Sequence, residues 1–508
     1  MSLSEKALRG FFRSLTGSGA WSLFTRVNTF LGERGIQSYV VGGFVRDLLL
    51  GRDVADIDIA VASDALEVAP KVADTLGGKY ILLDRVNRVG RVVLFNEEVP
   101  STGEHWNLDF STFKGDIEQD LVKRDFTIDA MAVDLNQLGK DYVDVQIIDP
   151  FNGWDDLHQG VVRAVAETAF ESDAARLLRA VRLAAELGFS IDKGTEELIR
   201  RYSHLVATVA GERIREELLR LLAFSQTGQS LRYLDDLGLL TALIPELAQT
   251  KGVEQPKEHF WDVFNHSLET VAAVDFLFRQ GDWKYASEEV LSAVPWSSEL
   301  AQHFEHKVSR GSTTRLLLKM AALLHDVAKP QTKTIEASGR VRFLGHAKEG
   351  AVIAVNILER LRFSAKEVKA VEIMVRHHLR PVQMSQDGVP SHRAIYRYFR
   401  DTGVAGIDIL FLSLADHLAT RGPHLVLTQW LEHTQLVEYI LAQHFQQESL
   451  VAPPKLVNGH DLINIFGMSP GPKIGEILEA VREAQAAGEL TTRQEALAHI
   501  KYLLATTA

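Results

Sequence analysis

The 508-residue chain contains no cysteine. Disulfides and thiolate metal sites are therefore excluded, and any metal must rest on histidine and carboxylate ligands. It also lacks a surplus of basic charge, because 55 Lys and Arg stand against 67 Asp and Glu for a formal net charge of −12. A uniformly basic coat is excluded, so contact with nucleic acid would need a local patch. No run approaches the roughly 18 apolar residues of a membrane span, so no membrane contact is expected. The opening MSLSEKALRGFFRSL lacks a long apolar core and a cleavage site. No signal peptide is therefore expected, and the cytoplasm is the expected location. What is present, 46% hydrophobic and 24% charged residues, is the composition of a soluble globular protein. The length predicts several domains.

The densest chemistry lies in residues 39–60, YVVGGFVRDLLLGRDVADIDIA. Tyr39 to Val41 reads as a short buried strand, Gly42-Gly43 as a turn, and Phe44 to Leu50 as a short amphipathic helix. A glycine pair lets backbone approach a ligand, and the helix N-terminus behind it offers free N–H groups to an anion. Arg46, one turn in, is placed to reach a phosphate oxygen. A second strand is expected from near Ala55, with Asp56 and Asp58 on one face of it because side chains alternate along a strand. Two carboxylates on a rigid strand suit Mg²⁺, a hard ion that takes oxygen ligands and substrate phosphates. In order, these pieces resemble the GG-x-V-R-D … D-x-D signature of the nucleotidyltransferase superfamily, in its bacterial tRNA nucleotidyltransferase and poly(A) polymerase branch.

Downstream, Asp64 reads as the N-cap of a helix that runs to about Leu76 and ends at Gly77-Gly78. Tyr80–Leu83, Arg91–Phe95 and Trp106–Ser111 read as strands. Asp109, in the middle of the last, is a third carboxylate, either a metal ligand or a base for an attacking hydroxyl. Residues 120–135, DLVKRDFTIDAMAVDL, resemble the family segment R-R-D-F-T-I-N-A-M-A, with Lys123 for the first Arg and Asp129 for Asn. The resemblance implies that Arg124 and Asp125 help read the ribose; Lys123 keeps the charge of Arg without its planar fork.

Residues 149–157 read as the turn that closes the sheet, and from there on the pattern is helical. In 170–189, Asp173, Arg176, Arg179 and Arg182 recur at steps of three on one expected helix. An acid can accept from an exocyclic amine while Arg donates to ring nitrogen and carbonyl, so the pair could read cytosine or adenine. This resembles the E-D-x-x-R segment that templates CTP and ATP, with Ser172 in place of the first acid. The segment from Gly211 resembles the neck helix behind it.

Farther on, His266, the adjacent His325-Asp326 and Asp416 lie in apolar-periodic segments and resemble the HD metal-dependent phosphohydrolase domain. Such mixed nitrogen and oxygen ligands suit a divalent transition metal such as Mn²⁺ or Ni²⁺. His346, His377 and His378 would complete a second position, as in two-metal hydrolases. In the tail, Ser469-Pro-Gly-Pro begins a helix whose N–H groups either are capped or meet an RNA phosphate.

The expected fold is α+β, a small nucleotidyltransferase-type sheet head followed by a long all-α body that includes an HD domain. Its expected parts are a head over 1–150 with a helical lead-in over 1–35, a helical neck over 151–225, an HD domain over 226–450 and a helical tail over 451–508. The resemblance implies transfer from CTP or ATP to the 3′ end of tRNA. Only FSTFKGDIEQDLVK separates Asp109 from Arg124, where many family members that add all of CCA carry a longer segment. A CC-adding enzyme, a poly(A) polymerase, and an HD phosphohydrolase with a silent head therefore stay open.

Overall fold

The computed structural model describes residues 20–52, 56–95, 105–138, 145–385, 388–446 and 455–506. The lead-in over 1–19, the strand start at Ala55 and the Val451-Ala-Pro-Pro boundary lie outside these residues. By internal contacts the chain forms two compact units, Met1–Val209 and Ala210–Ala508.

In the first unit, helix α1 (Ala20–Gly32) precedes β1 (Ser38–Val41), α2 (Gly43–Leu49), β2 (Asp56–Val61) and α3 (Ala65–Leu76). Asp64 caps α3 by accepting from the Leu66 N–H, and Gly77 ends it in the left-handed conformation, as its sequence predicts. Strands β3 (Lys79–Asp84), β4 (Val89–Leu94) and β5 (Trp106–Thr112) follow, then α4 (Ile117–Leu121), β6 (Ala132–Asp134) and β7 (Ile147–Ile148). The seven strands form one sheet in the order β3-β4-β5-β2-β1-β6-β7. Every pairing is antiparallel except β2 with β5. Beyond Asp58, on the same side of the sheet, Tyr39, Val41, Ala60, Phe113, Ile117, Leu121, Ala130 and Ala132 pack into an apolar cluster. The two acids thus stand where a rigid apolar floor gives way to solvent.

The region after the sheet departs from its expected form in two ways. It is not free of strands: Val161–Val162 pairs with Ser190–Ile191, Lys307–Ser309 with Ser312–Thr313, and Lys333–Ile335 with Val341–Phe343. The single helix expected over 170–189 is also two, α5 (Ala169–Ser172) and α6 (Arg176–Leu187), separated at Asp173. Asp173 is extended, with φ −153°, and its side chain accepts from the Ala175 N–H. Short acidic side chains compete with the helix for backbone donors, which helical periodicity does not register.

The second unit is built mainly of helices. At its centre α7 (Val263–Leu277) packs on α8 (Thr314–Leu324) and α11 (Ala405–Arg421), and α10 (Ala365–His377) packs on α8 and α9 (His346–Arg360). Buried Leu, Ala and Phe side chains line both α7 and α11, so these two helices run through the interior. Three terminal helices, Gly459–Phe466, Pro472–Ala486 and Arg493–Thr506, share a smaller core of their own.

Candidate nucleotidyl-transfer and metal sites

The sheet register builds the first site. On β2, Asp58 sits beside Asp109 of β5, and Asp109 sits beside Arg91 of β4, so the three side chains form a row on one face. One step along, Asp56 accepts from Asn107 Nδ2 at 2.7 Å. Arg91 grips Asp109 with both arms, Nε to Oδ1 and Nη2 to Oδ2, each at 2.7 Å. Burial pushes Asp58 up to about 6; neighbouring Asp109 adds to the rise, while Arg124 opposes it.

Gly42 carries the chain from β1 to this row with φ 74° and donates its N–H to the Met131 carbonyl. A Cβ there would collide with the Arg124 guanidinium and lie 3.0 Å from Asp58 Oδ2, so only glycine fits. Gly43 is backed by the Arg46 guanidinium, 3.3 Å from where its Cβ would stand.

Arg46 itself does not open toward a phosphate as its sequence position suggested. It is buried, donating to Asp129 Oδ1 at 2.6 Å and through Nε and Nη2 to both oxygens of Asp47. The buried Asp129, where the family segment has Asn, gives Arg46 a carboxylate beside the half-buried Asp47.

The arginines of α6 likewise part company. Arg179 pairs with Asp125 at 3.0 Å, and that pairing with Arg176 nearby holds the Asp125 carboxyl below its usual range despite burial. Arg176 donates to the carbonyls of Lys123 and Ala169 and to Ser172, tying the 120–135 segment to the α5–α6 junction. Arg182, one turn farther on, is buried and pairs with Glu186, whereas Arg179 is half-buried and pairs with Asp125. Asp173 is off the helix altogether.

Sequence reasoning missed Arg91, Asn107 and Asp47. A charge in the middle of the apolar strand VGRVVL was the available signal, since such a residue calls for an opposite charge across the ladder.

The second constellation lies wholly in the second unit. His266, His325 and Asp416 converge, and so do Asp326, His346 and His378, each triad with ligand atoms within 4.8 Å of one another. His266 Nε2 lies 3.1 Å from Asp416 Oδ1 and 3.2 Å from His325 Nε2, and His346 Nε2 lies 3.3 Å from Asp326 Oδ1. His325, His346 and His378 donate through Nδ1 to the carbonyls of Ala322, Phe343 and Val375, which aims each Nε2 inward. Of the two adjacent histidines named from the sequence, His378 joins this cluster and His377 does not. The two are consecutive on a helical turn and so point in different directions, and His377 is left toward Arg380 and Asp401.

Both sites fit metal. The head offers hard carboxylate oxygens. In the body, the buried Asp326 pairs through Oδ2 with Lys329 and faces His346 through Oδ1, so a carboxylate oxygen and inward-facing Nε2 atoms form a donor set that suits a divalent ion.

A glycine turn, a carboxylate row on a mixed sheet and a fused histidine-rich helical unit define a metal-dependent nucleotidyltransferase with an HD domain. Family models agree: Poly A polymerase head domain matches residues 38–163 and HD domain residues 263–421. The chain is 32% identical over 468 residues to the A-adding tRNA nucleotidyltransferase of Deinococcus radiodurans, covering 91% of this chain and 94% of the relative. It is 33% identical over 473 residues to the CC-adding tRNA nucleotidyltransferase of Thermus thermophilus, covering 92% and 93%. The fold resembles that of a Thermotoga maritima CCA-adding enzyme complexed with tRNA, at 23% identity and TM-score 0.56 over 95% of each chain. This chain belongs to the tRNA nucleotidyltransferase family.

Proposed function

We propose that this enzyme transfers nucleotidyl groups from CTP, ATP or both to the 3′ end of tRNA. The observation that carries the reading is the row of Asp58 and Asp109 on adjacent strands, with Asp56 two residues along, beside a turn at Gly42 whose positive φ favours glycine. Asp56 and Asp58 would hold Mg²⁺, which when bound lowers the pKa of the attacking hydroxyl and offsets charge on the departing pyrophosphate. Gly42 and Gly43 leave room for the triphosphate against the backbone. Arg124, between Gly42 and Asp58, opposes its charge and places the ribose. Asp125 and Arg179 form the charged pair nearest that position and hold the base or sugar, with Arg176 fixing the segment that carries them. Arg46 acts from beneath Gly43 by holding the turn. Contact with tRNA runs through shape and phosphates, since an RNA duplex is poorly read by base sequence. The tail helices add phosphate contacts.

Addition of CC is the favoured specialisation. After β5 the chain reaches α4 through only Phe113 to Asp116, and Asp116 already caps that helix. There is no room for the longer segment associated with the switch from C to A. The body supports a second reading, a phosphohydrolase using His266, His325, Asp326 and Asp416, with His346 and His378 at a second position and Mn²⁺ or Ni²⁺ as the ion.

Incubation with tRNA lacking its 3′ end and one labelled nucleotide at a time tests these readings. Incorporation from CTP alone is expected. Incorporation of ATP onto tRNA ending in CC would overturn the CC assignment, and no incorporation of either would overturn the transferase reading. Phosphate release under Mn²⁺ or Ni²⁺ that is lost in His325→Ala would support the hydrolase.

A further inference from the structure

Arg91 places a cation inside a site otherwise suited to binding one. It is partly buried, its fork takes both oxygens of Asp109, and it lies in the electrostatic field of Asp56 and Asp58. The register sets Asp109 on one side of it and the apolar Ile81 on the other, with Asp58 one strand beyond Asp109. Affinity for a hard divalent cation rises with the number of uncompensated carboxylates around it. Here one of the three is matched by a guanidinium in its strongest pairing geometry.

We infer that Arg91 is the built-in counter-ion of the carboxylate row: by holding Asp109 it keeps the free site weakly attractive to divalent metal, so that full metal loading depends on the nucleotide triphosphate. A triphosphate carries several negative charges and its own metal. When it lies against the Gly42 turn it restores the negative charge that Arg91 cancels. Arg91 is thus a positioning residue acting through Asp109. This inference rests on reading Asp56, Asp58 and Asp109 as the metal-facing acids.

Mn²⁺ titration of the full-length protein, read by electron paramagnetic resonance with and without CTP, tests it. The same titration on Asp58→Ala subtracts metal held elsewhere in the chain. Arg91→Met is expected to tighten nucleotide-free Mn²⁺ binding by at least about tenfold, because a unit charge a few ångströms away is removed. It should also shrink the gain that CTP confers. Arg91→Lys, which keeps the charge but not the fork, should stay within about threefold of the parent. Arg91→Gln is a second neutral variant should Arg91→Met fail to fold. Unchanged or weaker Mn²⁺ binding in the neutral variants, or equal tightening in Arg91→Lys, overturns the inference. A parent protein that binds no Mn²⁺ even with CTP overturns the underlying reading of the site instead.

Discussion

The two candidate metal sites of this chain are built from opposite chemistries. In the head the donors are carboxylates on strands; Asp56 is exposed, and Asp58 and Asp109 are half-buried, with arginines close by. In the body the donors are mostly imidazoles on helices, and all but Asp416 are nearly inaccessible. Strand geometry offers a flat, open row that a large triphosphate and an RNA end can approach together. Helix packing offers a closed cage in which three of the four rings are aimed by a carbonyl. The contrast sets a donor set that suits a hard ion on a sheet against one that suits a borderline ion in a bundle.

Four measurements would break or sharpen that contrast. Asp58→Ala should reduce nucleotidyl transfer by at least roughly a hundredfold, as losing a key electrostatic group does, while leaving Ni²⁺ or Mn²⁺ binding in the body intact. A matching loss of metal from the body would show that the sites are not independent. Asp129→Ala should destabilise the head by about 3 kcal/mol in urea unfolding, because it strips buried Arg46 of its buried counter-ion and leaves only the half-buried Asp47. A change near zero would mean Asp47 alone suffices. His378→Ala should weaken metal binding in the body roughly tenfold, whereas His377→Ala should leave it unchanged; the reverse order would put His377 in the site instead. The smallest effect concerns acid. Although burial raises it, hydrogen bonds from Arg215, Ser312 and Ser309 hold Glu367 down at about 2, against an ordinary 4.5. A depressed carboxyl stabilises the fold above its ordinary value, and that contribution is lost as pH falls from 4.5 through about 2. Circular dichroism should show acid unfolding shallower in Glu367→Gln, and an identical profile would remove Glu367 from the cause.

Much of the head was legible in the sequence because strand alternation and caps are local. Asp56 and Asp58 share a face by periodicity alone, Asp64 and Gly77 bound their helix, and the HD pattern H … HD … D brought its four residues together. What failed was every assignment that needed to know which partner a charged side chain would choose. Arg46 has the spacing of a phosphate ligand but pairs with Asp129, 83 positions away. Arg182 has the spacing of Arg179 but pairs with Glu186. His377 and His378 are adjacent, and only packing decides which ring enters the cage.

The sequence by itself determined the order of elements through the acidic strand, the faces of that strand and the glycine turn before it, because these depend on neighbours a few residues apart. Only the tertiary structure decided that Asp58, Asp109 and Arg91 stand in one row, since strand order and register are long-range choices. It alone also decided which arginines are neutralised inside the protein. A buried charge takes whichever opposite charge folding brings within reach, and that cannot be read along the chain.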